Sequence, residues 1–303
     1  MLAYLCLASA MMIVGAYVGF SKLLVAVLPV FLLAWLRFGI AAVAMAHWLP
    51  RGADEPPLDG RSRGLLFLES FLGNFLFSIC MLFGMREATA ISAGVIMAGI
   101  PAAVALLSWL FLRETLSRRM LAAIALAVAG IVVLAFTRAG PDDAHTSALG
   151  MVLLVGAVFC EASYVVIGKR LTGNLSPRRI SALINLWGLI LVTPFGLWAA
   201  WSFDFGAVSG NIWLGLVLYA LAASMWTVWL WMTGLKRIPA AKAGVFTVFL
   251  PLTSAIVGIV FLGERFTTVH LIAFGCAIAG VLLATWPSRA AASMADSATA
   301  LRK

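Results

Sequence analysis

The chain alternates long apolar stretches with short polar gaps. Ten such stretches stand at roughly 3–20, 29–49, 64–84, 91–111, 120–137, 147–168, 180–201, 212–233, 243–262 and 269–286. Each approaches the ~20 apolar residues that a helix needs to cross a hydrocarbon core. Several are nearer 18 residues, which suits a thin or locally adapted bilayer better than steep tilt. None shows the period-two alternation of a membrane barrel strand. The predicted fold class is therefore an all-α membrane protein with ten transmembrane helices. Turn residues fill the gaps, such as Gly52, Pro56, Pro57 and Gly60 after the second stretch and Gly140 and Pro141 after the fifth. The first stretch has no basic residue before it and reads as a permanent span rather than a cleavable signal. From Pro287 to Lys303 the chain turns small and polar, and a disordered cytoplasmic tail is expected there.

Composition agrees with that pattern. Hydrophobic residues make up 63% and charged residues 11%, against about half and about a quarter in ordinary globular proteins. A soluble fold could not hide that much apolar surface. The net charge of +9 would suit nucleic acid only if the basic residues formed one face. They lie instead in the gaps, so the expected partners are a lipid bilayer and a small-molecule substrate, with no nucleic acid. Of the 21 Lys and Arg residues, alternate gaps on one side hold only Lys22, Arg86, Arg138 and Arg265, and Arg37 lies inside a stretch. The other sixteen fall on the opposite side. That imbalance predicts that both termini are cytoplasmic. Cys6, Cys80, Cys160 and Cys276 all sit in apolar stretches without C-x-x-C spacing and read as small buried hydrophobes.

The chain also repeats itself. Under a shift of 150 residues, Ala90, Ala93, Gly94, Val95 and Pro101 fall on Ala240, Ala243, Gly244, Val245 and Pro251. Phe111, Leu112 and Glu114 fall on Phe261, Leu262 and Glu264. Matched Pro, Glu and Gly at one offset separate this from the general likeness of apolar helices. Two five-helix repeats follow, 1–140 and 141–286. Because five is odd, the second is expected to be inverted in the membrane. Inverted repeats can exchange conformations, which is the geometry of alternating access around a site near the midplane.

These features resemble the drug/metabolite transporter superfamily, in its EamA-type branch. The likeness rests on Arg37 in the second stretch, Pro101 in the fourth, and Phe-Leu-Arg-Glu-Thr-Leu from Phe111 to Leu116. Pro251 and Phe-Leu-Gly-Glu-Arg-Phe from Phe261 to Phe266 echo them in the second half. It covers residues 3 to about 286. The resemblance implies a secondary transporter, and its nearest reading is a bacterial exporter of aromatic or other apolar amino acids. Other metabolites and drugs are alternatives within the superfamily. The second half departs at Asn185, the counterpart of Arg37 when Pro29 and Pro177 are aligned.

No H-E-x-x-H, G-x-S-x-G or Gly-rich phosphate loop occurs. No metal site, cofactor or catalytic residue is predicted. A membrane enzyme acting on a lipid-linked substrate is the alternative from another class, and a scaffold or sensor subunit is a third. Neither the clustered ligands nor the soluble module that they need is present in the sequence, which also sets no oligomeric state. Arg37, Glu69 and Glu161 are ionisable residues within stretches, and such residues usually face a bundle interior or aqueous cavity. Arg37, Glu69 and Asn185 are read as structural or charge-relay positions, with contact to a substrate carboxylate as the alternative for Arg37. The expected substrate-binding set is Asn74, Ser78, Met97, Glu161, Tyr164, Trp226 and Trp229, an aromatic cavity with a few polar points. Tryptophans at lipid or interfacial positions are the competing reading. Pro101 and Pro251 are hinge candidates or fixed kinks. Glu114 and Glu264 each precede a helix and are expected to favour its N-terminus. Gly15 and Gly19 form a G-x-x-x-G face for close helix packing.

Overall fold

A computed structural model describes residues 2–52, 55–112, 118–135, 147–173, 175–237, 246–247 and 249–285. Glu114 and the 287–303 tail lie outside the described residues, as do the expected end of the fifth helix and start of the ninth. Helices α1 (Leu2–Val25) and α2 (Val30–Met45) open the chain. A long helix then runs from Gly60 to Arg86 as α3 (Gly60–Glu69), a π-helical segment (Ser70–Leu76) and α4 (Phe77–Arg86). Next come α5 (Ala90–Met97), α6 (Ile100–Leu112), α7 (Arg118–Ala135), α8 (Ala148–Leu171) and α9 (Pro177–Trp201). A second long helix comprises α10 (Gly210–Ala220), a π-helical segment (Leu221–Trp226) and α11 (Thr227–Arg237). Helices α12 (Phe249–Leu262) and α13 (Thr268–Thr285) complete the described chain. No strand occurs among the described residues.

Six helical stretches are long and apolar enough to cross a membrane: Leu2–Val25, Val30–Trp48, Gly60–Arg86, Ala148–Gly168, Pro177–Trp201 and Gly210–Arg237. Four shorter apolar helices accompany them. Their starts follow local chemistry. Asp59, Thr89, Ser147 and Ser176 each accept the backbone N–H three residues on and so cap α3, α5, α8 and α9. Pro177 opens α9, where no intrahelical N–H is needed.

The expected fourth helix is not continuous. It breaks at Ala98 and Gly99 between α5 and α6. Pro101 has no N–H to offer the carbonyl of Met97 four residues earlier, and α5 ends at Met97. Pro251 likewise falls in the first turn of α12. Pro101 therefore starts a helical piece rather than bending an intact one.

The packing is paired. Helix α1 lies against α11 and α12, while α8 lies against α4 and α6. Helices α2 and α9 pack together, as do α7 and α13. Details match as well. The position where a Cβ on Gly234 would stand meets Leu7 and the Ala3 carbonyl, and that on Gly84 meets Leu154 and the Gly150 carbonyl. The two π-helical segments also coincide under the 150-residue shift. Gly15 and Gly19 do bring helices together. The Gly15 Cβ position lies 2.3 Å from the Leu250 carbonyl oxygen, and that of Gly19 lies 2.5 Å from Val257. Backbones this close gain van der Waals contact, which is what holds helices together once lipid has replaced water.

Candidate functional site

Where α1, α2, α4, α8, α11 and both π-helical segments meet, they enclose a cavity of about 40 Å³. That space holds on the order of one or two waters. It is far below the roughly 300–1,000 Å³ of small-molecule sites, so this conformation is closed around its centre.

The π-helical segment Ser70–Leu76 supplies Gly73 and Asn74 to the cavity wall. An added residue per turn widens the helix, and such segments recur at functional sites. Ser70 Oγ and Asn74 Nδ2 both donate to the Ile184 carbonyl on α9, at 2.6 and 2.9 Å. Asn185 Nδ2 donates to the Phe38 carbonyl on α2 at 3.0 Å. Three polar side chains thus lock α2, α9 and the π-helical segment around the site.

Arg37 borders the cavity and is buried. One guanidinium nitrogen donates to Ser78 Oγ at 2.5 Å, and Ser78 in turn donates to the Asn74 carbonyl. A hydroxyl that donates its hydrogen keeps lone pairs to accept with, so Ser78 can hold the cation. The guanidinium also sits 4.3 Å over the Phe38 ring, while Arg37 Nε has no partner. Glu161 on α8 borders the same space without pairing to Arg37: Arg179–Glu55 is the only ion pair among the described residues. Tyr17, Phe77, Tyr164 and Trp231 give the remaining wall its aromatic character.

Of the expected substrate residues, the structure brings Asn74, Glu161 and Tyr164 to the cavity, with Ser78 just behind. It does not bring the others. Met97 is buried in the core at the end of α5. Trp226 is 42% exposed and borders a separate apolar groove of about 540 Å³ between α1 and α10. Trp229 lies near the start of α11, 6.1 Å from Trp48 and 5.9 Å from the Arg178 guanidinium, on a basic depression of about 510 Å³. Sequence reasoning missed Trp231 and Tyr17. Trp231 stands four residues after Thr227 and eight after Ala223, on the helix face that lines the cavity. Tyr17 coincides with Tyr164 under a shift of 147 residues, the offset that also aligns Leu7 with Leu154.

Polar contacts also stand at both ends of the bundle. At one end, Glu264 accepts the N–H groups of Ala90 and Ile91 at 2.8 and 3.0 Å, and Lys22 Nζ donates to the Ala88 carbonyl at 2.5 Å. Glu264 therefore caps α5 rather than the helix that follows it, where Thr267 and His270 bond to each other. At the other end, Glu55 accepts the Ser176 N–H and an Arg179 guanidinium N–H, both at 2.8 Å. Burial would raise the Glu55 carboxyl, but the bonds from Ser176 and Arg179 outweigh it and hold the group below the usual carboxylate range.

A helical membrane protein whose halves meet around a closed polar cavity has the build of a transporter. The sequence model of the EamA-like transporter family matches residues 1–136 and 148–286. The chain belongs to that family and is a transporter, not an enzyme. It is 36% identical over 285 residues to the uncharacterized transporter YetK of Bacillus subtilis, covering 93% of this chain and 86% of that one. It is 29% identical over 150 residues, 48% of each chain, to the threonine/homoserine exporter RhtA of Escherichia coli. A protein crystal structure aligns over 93% of this chain and 96% of its own, with a TM-score of 0.64 and 19% identity. At that identity the likeness is one of fold.

Proposed function

We propose that the protein is a secondary carrier that exports a small amino acid with an apolar or aromatic side chain. The observation that carries this reading is the joint presence of Arg37 and Glu161 on one cavity without an ion pair between them. A zwitterion offers a carboxylate to the free face of the guanidinium and an ammonium to the glutamate. Tyr17, Phe77, Tyr164 and Trp231 suit an apolar side chain between those ends. Arg37 then holds structure through Ser78 and substrate through its unpartnered Nε. The likeness to RhtA, a threonine/homoserine exporter, supports amino acids as the substrate class, though its two substrates carry hydroxyl side chains.

Ten spans in two inverted five-helix halves, with both termini cytoplasmic in a bacterial inner membrane, form the frame of this reading. The paired packing and the coincident π-helical segments support it. Alternating access needs the cavity to open toward one face at a time. In this frame the Glu55–Arg179 contact closes the cytoplasmic end and the Glu264 cap closes the outer end. The test is transport by purified protein in proteoliposomes, screened with threonine, leucine, phenylalanine and a nucleotide sugar. Carriage of amino acids that weakens in Arg37→Gln and Glu161→Gln is expected. Transport of the polyanionic sugar alone would remove the substrate class.

A further inference from the structure

We propose that Glu69 is a proton-binding site that couples this carrier to protons, exchanging with the cavity acid Glu161 by way of Tyr164. The inference rests on the carrier reading above and names its coupling ion. Glu69 ends α3 where the π-helical segment begins, and it is 0% exposed. Neither carboxyl oxygen has a hydrogen-bond partner. The only ion pair among the described residues lies elsewhere, so no salt bridge balances a charge at Glu69. A carboxylate stripped of water and left unpaired is strongly disfavoured, whereas a neutral carboxyl is tolerated. This closed conformation accepts Glu69 with its proton on.

The position gives that proton a route. Glu69 Oε1 lies 2.7 Å from where a Cβ on Gly168 would stand, pressed onto α8. On α8, Glu161, Tyr164 and Gly168 share one face by their spacing of three, then four residues. The Tyr164 ring packs on Gly73, one turn after Glu69, and its hydroxyl has no partner. Glu69, Tyr164 and Glu161 thus form a column that starts within a few turns of the Arg61 and Arg63 end of α3 and finishes at the cavity. Other titratable and charged groups around the column are Tyr17 from α1 and Arg37 from α2, both on the cavity wall. From α11 the neighbour is the apolar Met232, and Arg179 of α9 is held by Glu55.

The transfer balances. The Tyr164 hydroxyl bonds to neither acid in this closed conformation, so the proton moves as the bundle opens. Glu161 then gives its proton to the Tyr164 oxygen as Tyr164 gives its own to the Glu69 carboxylate, leaving Glu161 the anion and Glu69 the neutral acid. A substrate ammonium and a proton then compete for Glu161, so an amino acid leaving the cell exchanges for protons moving in.

Infrared spectroscopy of the purified protein in lipid nanodiscs tests the site without any substrate. Wild type at neutral pH should show the C=O stretch of a buried protonated carboxyl. Glu69→Gln should remove that band, and Gly168→Ala, whose methyl reaches Oε1, should shift it. A band unchanged by both substitutions overturns the proposal, even if no amino acid proves to be carried. In proteoliposomes loaded with threonine or phenylalanine, an imposed pH gradient should drive efflux by wild type. The ratio of pH-driven to gradient-free exchange should fall in Glu69→Gln, and an unchanged ratio overturns the coupling.

Discussion

Glu264 caps a helix 174 residues earlier in the chain: its carboxylate accepts the backbone N–H groups of Ala90 and Ile91. Two orphan donors at the start of α5 are satisfied by an acid from the opposite half. The contact also brings charge to the positive end of the helix dipole. Glu264→Ala removes both acceptors and leaves the α5 end uncapped apart from Thr89. A loss of about 1–2 kcal/mol is expected, as for other caps. Thermal unfolding of the purified protein in detergent checks it, with Glu264→Gln expected to lose less because its amide oxygen can still accept. Equal stability of wild type and Glu264→Ala would show that the cap is not made.

At the opposite end, the Glu55–Arg179 contact should respond to acid. Glu55 is held below its ordinary value of 4.5 in the folded protein. A depressed carboxyl contributes stability that is full above the unfolded value and is lost as pH falls through the folded one. The contact should therefore hold at neutral pH and weaken progressively below about pH 4.5. Both side chains are largely covered, so its worth is that of a hydrogen bond between charged groups, about 1.5–3 kcal/mol. The accessibility of a cysteine placed at Ser176 should rise as pH drops through that window. In Glu55→Gln it should already be high at neutral pH and should not change with acid.

Helix packing gives a sharper contrast. A methyl group at Gly15 would collide with the Leu250 carbonyl oxygen at 2.3 Å, which is backbone and cannot swing aside. At Gly39 the same methyl meets nothing within 4 Å. Gly15→Ala is expected to cost about 1–3 kcal/mol as overpacking, and Gly39→Ala to be neutral or slightly stabilising. Comparing their melting temperatures in one detergent separates close packing from helix propensity, since the backbone term is the same for both.

The helices were legible because apolar runs, caps and turn residues are local signals. Even the break after Met97 follows from Pro101 once its missing N–H is assigned to the carbonyl four residues back. The site was legible in part. Arg37, Glu161, Asn74 and Tyr164 stand out as polar or ionisable groups in apolar runs, and all four border the cavity. Trp226 and Trp229 do not, because sharing a face with each other is not the same as sharing the face of Ala223, Thr227 and Trp231. Tyr17 stayed hidden because the first and sixth spans align at 147 residues rather than 150. Nor does local sequence show where Glu264 points, since its partners become neighbours only when the two halves pack together.

That distinction among the tryptophans yields the last prediction. Trp226, Trp229 and Trp231 lie within six residues of one helix. Only Trp231 is buried against the cavity, at 3% exposure with an indole N–H that has no partner. A substrate that brings a carboxylate or carbonyl into an enlarged cavity would satisfy that donor, and the ring would cover an apolar side chain. Trp231→Phe keeps one aromatic ring and removes the donor together with the five-membered ring that carries it. Losing one such bond should weaken substrate binding by about 0.5–1.5 kcal/mol, or roughly two- to tenfold. Trp226→Phe should leave binding unchanged, because its ring faces the groove between α1 and α10. The half-saturating concentration of the carried amino acid in proteoliposomes reads both. A shift in Trp226→Phe with none in Trp231→Phe would move the substrate site out of the central cavity and into that groove.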